Sequence, residues 1–182
     1  RILEEGKADL IAMGRRLMAD PELPHKLADG RLDDVNPCIG CMECIERMGV
    51  DAKWAMCTIN AAMGREKEYS IKPAARIKKV VVVGGGPAGM EAARVAALRG
   101  HRVILFEKDA RLGGKLNIAA LPPHKGDIVP WVNYLVRQLK KAGVETRLGT
   151  GPTPGIIKES SPDAVVVAVG GIPAIPGVTG AG

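Results

Sequence analysis

Aromatic residues are scarce: two tryptophans, two tyrosines and one phenylalanine in 182 residues. That argues against an aromatic-rich core and against a stacking platform for single-stranded nucleic acid, which needs aromatics interleaved with basic residues. No apolar run approaches the roughly 18 residues a membrane-spanning helix requires. The chain starts at Arg1 with no charged-then-apolar leader behind it, so no secretory signal is expected, and the chain reads as a piece of something longer. Cysteines number only four. What is plentiful is glycine, 23 residues, within a 46% apolar and 25% charged composition. This balance fits Val/Ile/Ala packing with tight turns, as in α/β nucleotide-binding folds. The net charge of +6 is spread over small groups: Arg15 and Arg16; Arg76, Lys78 and Lys79; Arg137, Lys140, Lys141 and Arg147. No nucleic-acid partner is expected from so dispersed a pattern.

All four cysteines fall in one stretch, Cys38, Cys41, Cys44 and Cys57, spaced C-x2-C-x2-C-x12-C. Without a secretory signal, a disulfide framework is disfavoured. A metal site is the better reading, and cytoplasmic localisation goes with it. Zinc ribbons present two separated C-x2-C pairs. Three thiolates from one short loop with a distant fourth instead suit a [4Fe–4S] cluster, with zinc and free thiols as the alternatives. Gly40 allows the loop to turn tightly, and Pro37 stiffens its approach. Met42, Met48, Met56 and Met63 are expected to pack around the site and shield it. His25, His101 and His124 stand at no ligand spacing and read as structural or surface residues.

From Lys78 the pattern changes. Val80–Val83 is a β-branched run expected to be buried on both faces of a parallel sheet. It leads into Gly84-Gly85-Gly86-Pro87-Ala88-Gly89 and an alanine-rich helix over 90–98. Within this G-x-G-x-x-G, Gly84 makes the turn and Gly86 lets a pyrophosphate approach the backbone. Gly89 lets the helix pack close to the strand, and the helix N-terminus offers amides to phosphate. A second strand, 102–106, ends in Glu107, 21 residues after Gly86. A carboxylate there accepts from ribose hydroxyls and repels a 2′-phosphate. Gly113 and Gly114 let the chain pass near a bound pyrophosphate. An amphipathic helix is predicted over 127–142, with Ile128, Trp131, Leu135 and Leu139 on one face. A third strand over 144–148 and a fourth, another buried run, over 163–169 follow. The tail 173–182 reads as a connection.

Together these motifs resemble the iron–sulfur flavoproteins that include 2,4-dienoyl-CoA reductase, enoate reductase and trimethylamine dehydrogenase. The resemblance covers essentially the whole chain. It rests on Ala8–Arg15 (ADLIAMGR), similar to the last strand of an old-yellow-enzyme-like barrel, on the cysteine loop, and on VVVVGGGPAGMEAA with Glu107, the GGK of 113–115 and DAVVVAVGG. The resemblance implies a C-terminal fragment in three parts. Residues 1–30 would be the last β/α unit of an FMN-binding TIM barrel, with Gly14 and Arg15 on the FMN phosphate. Residues 31–76 would be the [4Fe–4S] linker. Residues 77–182 would be an incomplete Rossmann-like, three-layer α/β domain for FAD or ADP. FAD-type contacts would fall on Ala88, Glu107, Gly114, Lys115 and Lys125. An adenine contact would fall on Pro152, which has no N–H to donate.

The implied partners are the missing barrel and NAD(P)H domains of the same polypeptide and a small-molecule substrate. An exposed sheet edge and the apolar barrel helix would favour a homo-oligomer. The implied activity, in the full-length parent, is electron relay between FAD/NAD(P)H and FMN through the cluster to reduce an enoate or dienoyl C=C bond. The x12 cysteine spacing resembles the amine-dehydrogenase branch, a second possibility with ADP in the dinucleotide site. An electron-input subunit like the small subunit of glutamate synthase is disfavoured by the ADLIAMGR segment. A non-catalytic cluster- and nucleotide-binding module is the remaining rival. No catalytic residue is expected in this chain, because acid–base groups would sit on barrel loops.

Overall fold

The computed structural model describes residues 2–172 together with Ala174 and Gly177. The chain divides into two compact units, Arg1–Lys72 with Ala119–Gln138, and Pro73–Ile118 with Leu139–Gly182.

The second unit is built on a four-stranded parallel sheet of β1 (Lys79–Val83), β2 (Arg102–Phe106), β3 (Glu145–Arg147) and β4 (Ala164–Val167), in the order β3-β2-β1-β4. β1 pairs with β2 from Lys79 opposite Arg102 to Val83 opposite Phe106, and with β4 on its other side. A strand points alternate residues to opposite faces, so the valine run of β1 feeds both layers. On one face Val81, Ile104 and Phe106 form a buried cluster against Ile156 and Ile157 of α7 (Pro154–Glu159). On the other, α4 (Pro87–Leu98) lies over β1, β2 and β4 and buries Met90 and Ala93. Helix, sheet and helix make the three layers expected. The chain runs outward from β1 through β2 to β3, then returns to place β4 on the opposite side. The strand order therefore reverses at β1, and in open α/β sheets ligands bind at the carboxyl ends of strands flanking such a reversal.

Two expectations for this sheet need correction. β4 was expected to be a buried run, but Val165, Val166 and Val167 are exposed, Val167 at 69%. Among the described residues nothing pairs with or covers its outer side. A valine run records that a strand is meant to be covered, not which strand does the covering. β3 is shorter than 144–148 and wholly exposed. The predicted tail, 173–182, falls mostly outside the described residues.

In the first unit, ADLIAMG forms no strand. A parallel strand takes its hydrogen bonds from neighbours in the sheet, and no such neighbours occur beside it among the described residues. The helix expected after it, through about Gly30, is two helices, α1 (Arg15–Ala19) and α2 (Leu23–Ala28). Pro21 forces the break by holding Asp20 in an extended conformation. A 3₁₀ turn over Leu32–Asp34 and α3 (Glu43–Gly49) complete the run through the cysteines. The short α5 (Leu116–Ala119) and α6 (Ile128–Lys141) follow the glycine pair. α6 buries Trp131, Leu135 and Leu139 as its periodicity predicts, and Gln138 Nε2 donates to Asp34 Oδ1 at 3.0 Å. No helix among the described residues is long and apolar enough to cross a membrane.

Candidate dinucleotide and metal-cluster sites

At the carboxyl end of β1 the glycines divide by what each is for. Gly84 has φ +106, and a Cβ there would stand 2.4 Å from the Ala168 carbonyl oxygen. A Cβ on Gly89 would stand 1.8 Å from the Gly84 carbonyl oxygen, so this glycine sets the approach of α4 to β1. Gly85 occupies a position the motif leaves unspecified. Its Cβ would meet Leu112 Cδ2 at 2.5 Å and Glu107 Oε2 at 2.8 Å, so it too is required by packing. Gly86 differs from all three. Its φ of −73° and ψ of −177° suit any residue, and a Cβ there would find nothing within 4 Å. Neither backbone geometry nor protein packing demands glycine at 86. The open space above it lies at the start of α4, beside the amides of Ala88 and Gly89 that the helix cannot satisfy.

Glu107 closes the floor of this cradle. It is 5% exposed; Oε2 accepts from the Gly85 N–H at 2.6 Å and Oε1 from the Asp109 N–H at 2.9 Å. These amide contacts were not foreseen. A carboxylate has about four acceptor positions, so two amides leave capacity for hydroxyl donors. Behind it the Gly113 N–H donates to the Gly85 carbonyl at 2.9 Å. A Cβ on Gly114, at φ +52, would lie 3.1 Å from the Gly86 Cα. The glycine pair thus runs directly against the Gly84–Gly89 turn, which its spacing alone did not reveal. Lys115 Nζ donates to the Gly171 carbonyl, tying this loop to the chain beyond β4. The Gly149 and Thr150 N–H groups donate to the carbonyls of Asp109 and Glu107 at 3.0 and 2.9 Å. Pro152 follows that stretch half-buried. Lys125 belongs to the other compact unit.

In the first unit the cysteine loop is shaped by two left-handed residues, Gly40 at φ +65 and Met42 at φ +63; the turn at Gly40 is the one its sequence predicts. Met42 caps α3, which buries Cys44 in its first turn. All four cysteines are free thiols. Cys41 Sγ lies 3.2 Å from Thr58 Oγ1. Burial pushes the Cys57 thiol above its ordinary range, the N–H groups of Ile59 and Asn60 pull it back, and the nearby Cys41 and Cys38 push it further up. The effect of Cys41 and Cys38 on Cys57 places it within electrostatic reach of the loop. No three His, Cys, Asp or Glu side chains among the described residues converge on a single-ion site. A cubane takes one sulfur on each of four irons, and four free thiols of which one is buried are a fitting donor set for it. The methionine shield is not formed among the described residues: Met42, Met48 and Met56 are exposed, and only Met63 is half-buried. Arg15 sits at the start of α1, and its Nη1 lies 3.0 Å from Met42 Sδ. A Cβ on the preceding Gly14 would meet nothing within 4 Å. His25 pairs with exposed Glu22, and His101 accepts from the Lys78 N–H, the structural roles expected of them.

Residues 79–155 match the family model described as FAD dependent oxidoreductase. The chain is 47% identical over 183 residues to an NADH oxidase of Thermoanaerobacter brockii, covering 100% of this chain and 28% of that protein. It is 47% identical over 169 residues to a cinnamate reductase of Clostridium sporogenes, covering 92% of this chain and 25% of that protein. Among solved structures, a 2-naphthoyl-CoA reductase complex superposes with a TM-score of 0.93 at 38% identity, over 98% of this chain and 27% of that one. The chain thus spans about a quarter of the length of the curated relatives it matches.

Proposed function

From the premise that this chain belongs to the flavin oxidoreductase family of that NADH oxidase and cinnamate reductase, we propose that it is the cluster- and dinucleotide-binding segment of an iron–sulfur flavoprotein that reduces an enoate-type C=C bond. When bound, a flavin exchanges two electrons with a hydride donor such as NAD(P)H, and a [4Fe–4S] cluster carries electrons singly to a second flavin.

The observation that carries the reading is Gly86, a glycine that neither its backbone angles nor its neighbours require. Its missing side chain leaves room for a pyrophosphate on the first-turn amides of α4. Glu107, held by two amides, presents its remaining lone pairs to ribose hydroxyls, and Pro152 offers only a carbonyl to the adenine. Lys115 reaches the same end of the sheet. Cys38, Cys41, Cys44 and Cys57 would hold the cluster, and Gly14 and Arg15 would meet the FMN phosphate. On this reading residues 1–30 complete a barrel, 31–76 carry the cluster and 77–182 begin the FAD domain. The cysteine spacing favours one second reading, an amine-dehydrogenase-like parent with ADP in the dinucleotide site.

The test is to purify the full-length parent without oxygen, denature it, and identify the released nucleotides, iron and sulfide. FMN with FAD supports the reductase, and FMN with ADP the second reading. Release of neither FAD nor ADP would overturn the dinucleotide assignment.

A further inference from the structure

The four cysteines come from two places in the chain, and something must set the distance between them. Three lie between residues 38 and 44, while Cys57 lies in a turn where it bridges to Asn60. The residue that spans the two is Asn36, two positions before Cys38.

Its backbone is anchored first. The Asn36 N–H donates to Asp20 Oδ2 at 2.8 Å. Asp20 is only 3% exposed; it also accepts from Lys26 Nζ at 2.7 Å and, through Oδ1, from the Glu22 N–H at 3.2 Å. A buried carboxylate with three donors is a rigid post. From that post the Asn36 side chain spends both of its amide hydrogens, on the carbonyls of Ala19 and Ile59, each at 3.1 Å. Two carbonyl acceptors fix which end of the amide is nitrogen. Ile59 sits two residues past Cys57. Asn60 is pinned in turn, donating from Nδ2 to the Met18 carbonyl at 2.9 Å. The Cys57 turn is thus tied by the Asn36 amide, by Asn60 on the Met18 carbonyl, and by Thr58 Oγ1 beside Cys41 Sγ; of these, only the Asn36 amide joins the turn to the stretch of chain leading into Cys38.

We propose that Asn36 is a positioning residue for the fourth cluster ligand, fixing the Cys57 turn against the loop of Cys38, Cys41 and Cys44. This rests on the cluster reading above. The consequence is specific to one corner. With Asn36 intact, the Cys57 turn is bonded to the segment that leads into Cys38. Without its two bonds, the Cys57 turn keeps only the Asn60 and Thr58 ties and is held less firmly, while the other three cysteines stay within seven residues of one another. The iron on Cys57 then becomes the one most readily lost.

The experiment uses the full-length parent bearing Asn36→Ala or Asn36→Asp, purified without oxygen and titrated with ferricyanide. Ferricyanide takes one electron from the cluster, one Fe²⁺ leaves, and a paramagnetic three-iron cluster remains, which electron paramagnetic resonance detects. Two lost hydrogen bonds correspond to a factor of about ten or more in an equilibrium, so conversion about tenfold faster than wild type is expected in both variants. Asp keeps the shape of Asn but has no hydrogens for the two carbonyls, so it should be no more durable than Ala. Bound nucleotide should stay stoichiometric, since its residues are elsewhere. Variants that assemble no cluster yet retain full nucleotide would also support the assignment. Conversion at the wild-type rate, an Asp variant as durable as wild type, or loss of nucleotide in parallel with iron would overturn it. Wild-type protein without iron and sulfide would instead overturn the cluster reading itself.

Discussion

Gly86→Ala separates a glycine kept for a ligand from one kept for the fold. At φ −73° and ψ −177°, with no atom within 4 Å of the added methyl, alanine meets no strain. Replacing glycine by alanine in such a conformation stabilises by about 0.4–1 kcal/mol through the unfolded chain. Gly86 also caps α4, where alanine is worse than glycine by roughly 0.5–1 kcal/mol. The two effects offset, so the nucleotide-free variant should unfold within about 0.5 kcal/mol of wild type. Binding is another matter. The methyl occupies the space through which a pyrophosphate would reach the α4 amides, and crowding of that kind costs about 1–3 kcal/mol, or about 5- to 150-fold in affinity. Calorimetric titration of the stripped full-length protein with ADP measures the second quantity, and urea unfolding of the same stripped protein the first. ADP binding at wild-type affinity would refute the phosphate-cradle argument. A large loss of stability without ligand would show that Gly86 serves the fold after all.

Gly89→Ala should behave in the opposite way: its Cβ would fall 1.8 Å from the Gly84 carbonyl oxygen, α4 must move off β1, and unfolding should come about 2–4 kcal/mol earlier in urea. Glu107→Gln leaves one of the Gly85 and Asp109 N–H groups facing an amide donor, so stability of the stripped protein should drop by roughly 1–3 kcal/mol; a change below about 0.5 kcal/mol would contradict the buried geometry. In cluster-free protein Cys57 is held as a neutral thiol above its ordinary range, first by burial, and only the thiolate alkylates. Its iodoacetamide labelling, followed by peptide mass spectrometry, should rise with pH to a midpoint above that of a free cysteine. Cys41→Ser, by removing a neighbouring charge, should bring that midpoint down.

Local chemistry was legible in the residues themselves. A β-branched run, a glycine turn and an alanine-rich helix specify one strand–turn–helix unit because each interaction involved lies within a few residues. For the same reason the turn at Gly40, the buried face of α6 and the acidic residue ending β2 could be placed without a structure. What lay beyond reach was every contact made across the sequence. Gly85 shows no requirement until Glu107 and Leu112 are folded against it. The Gly113–Gly114 pair shows its purpose only when the chain returns to Gly86. Asn36 carries no signal at all before the turn at Ile59 arrives beside it. The same rule governs two stretches: ADLIAMG has the residues of a strand but forms none among the described residues, and 163–169 has those of a buried strand but its valines are exposed. Neither property is local. A strand exists only where a neighbour accepts its hydrogen bonds, and a valine is buried only where another element covers it. The sequence alone therefore determined the local elements, the glycine turn and the cysteine spacing. Tertiary structure alone decided which of them stand together, because burial and hydrogen bonding belong to pairs of segments rather than to either one.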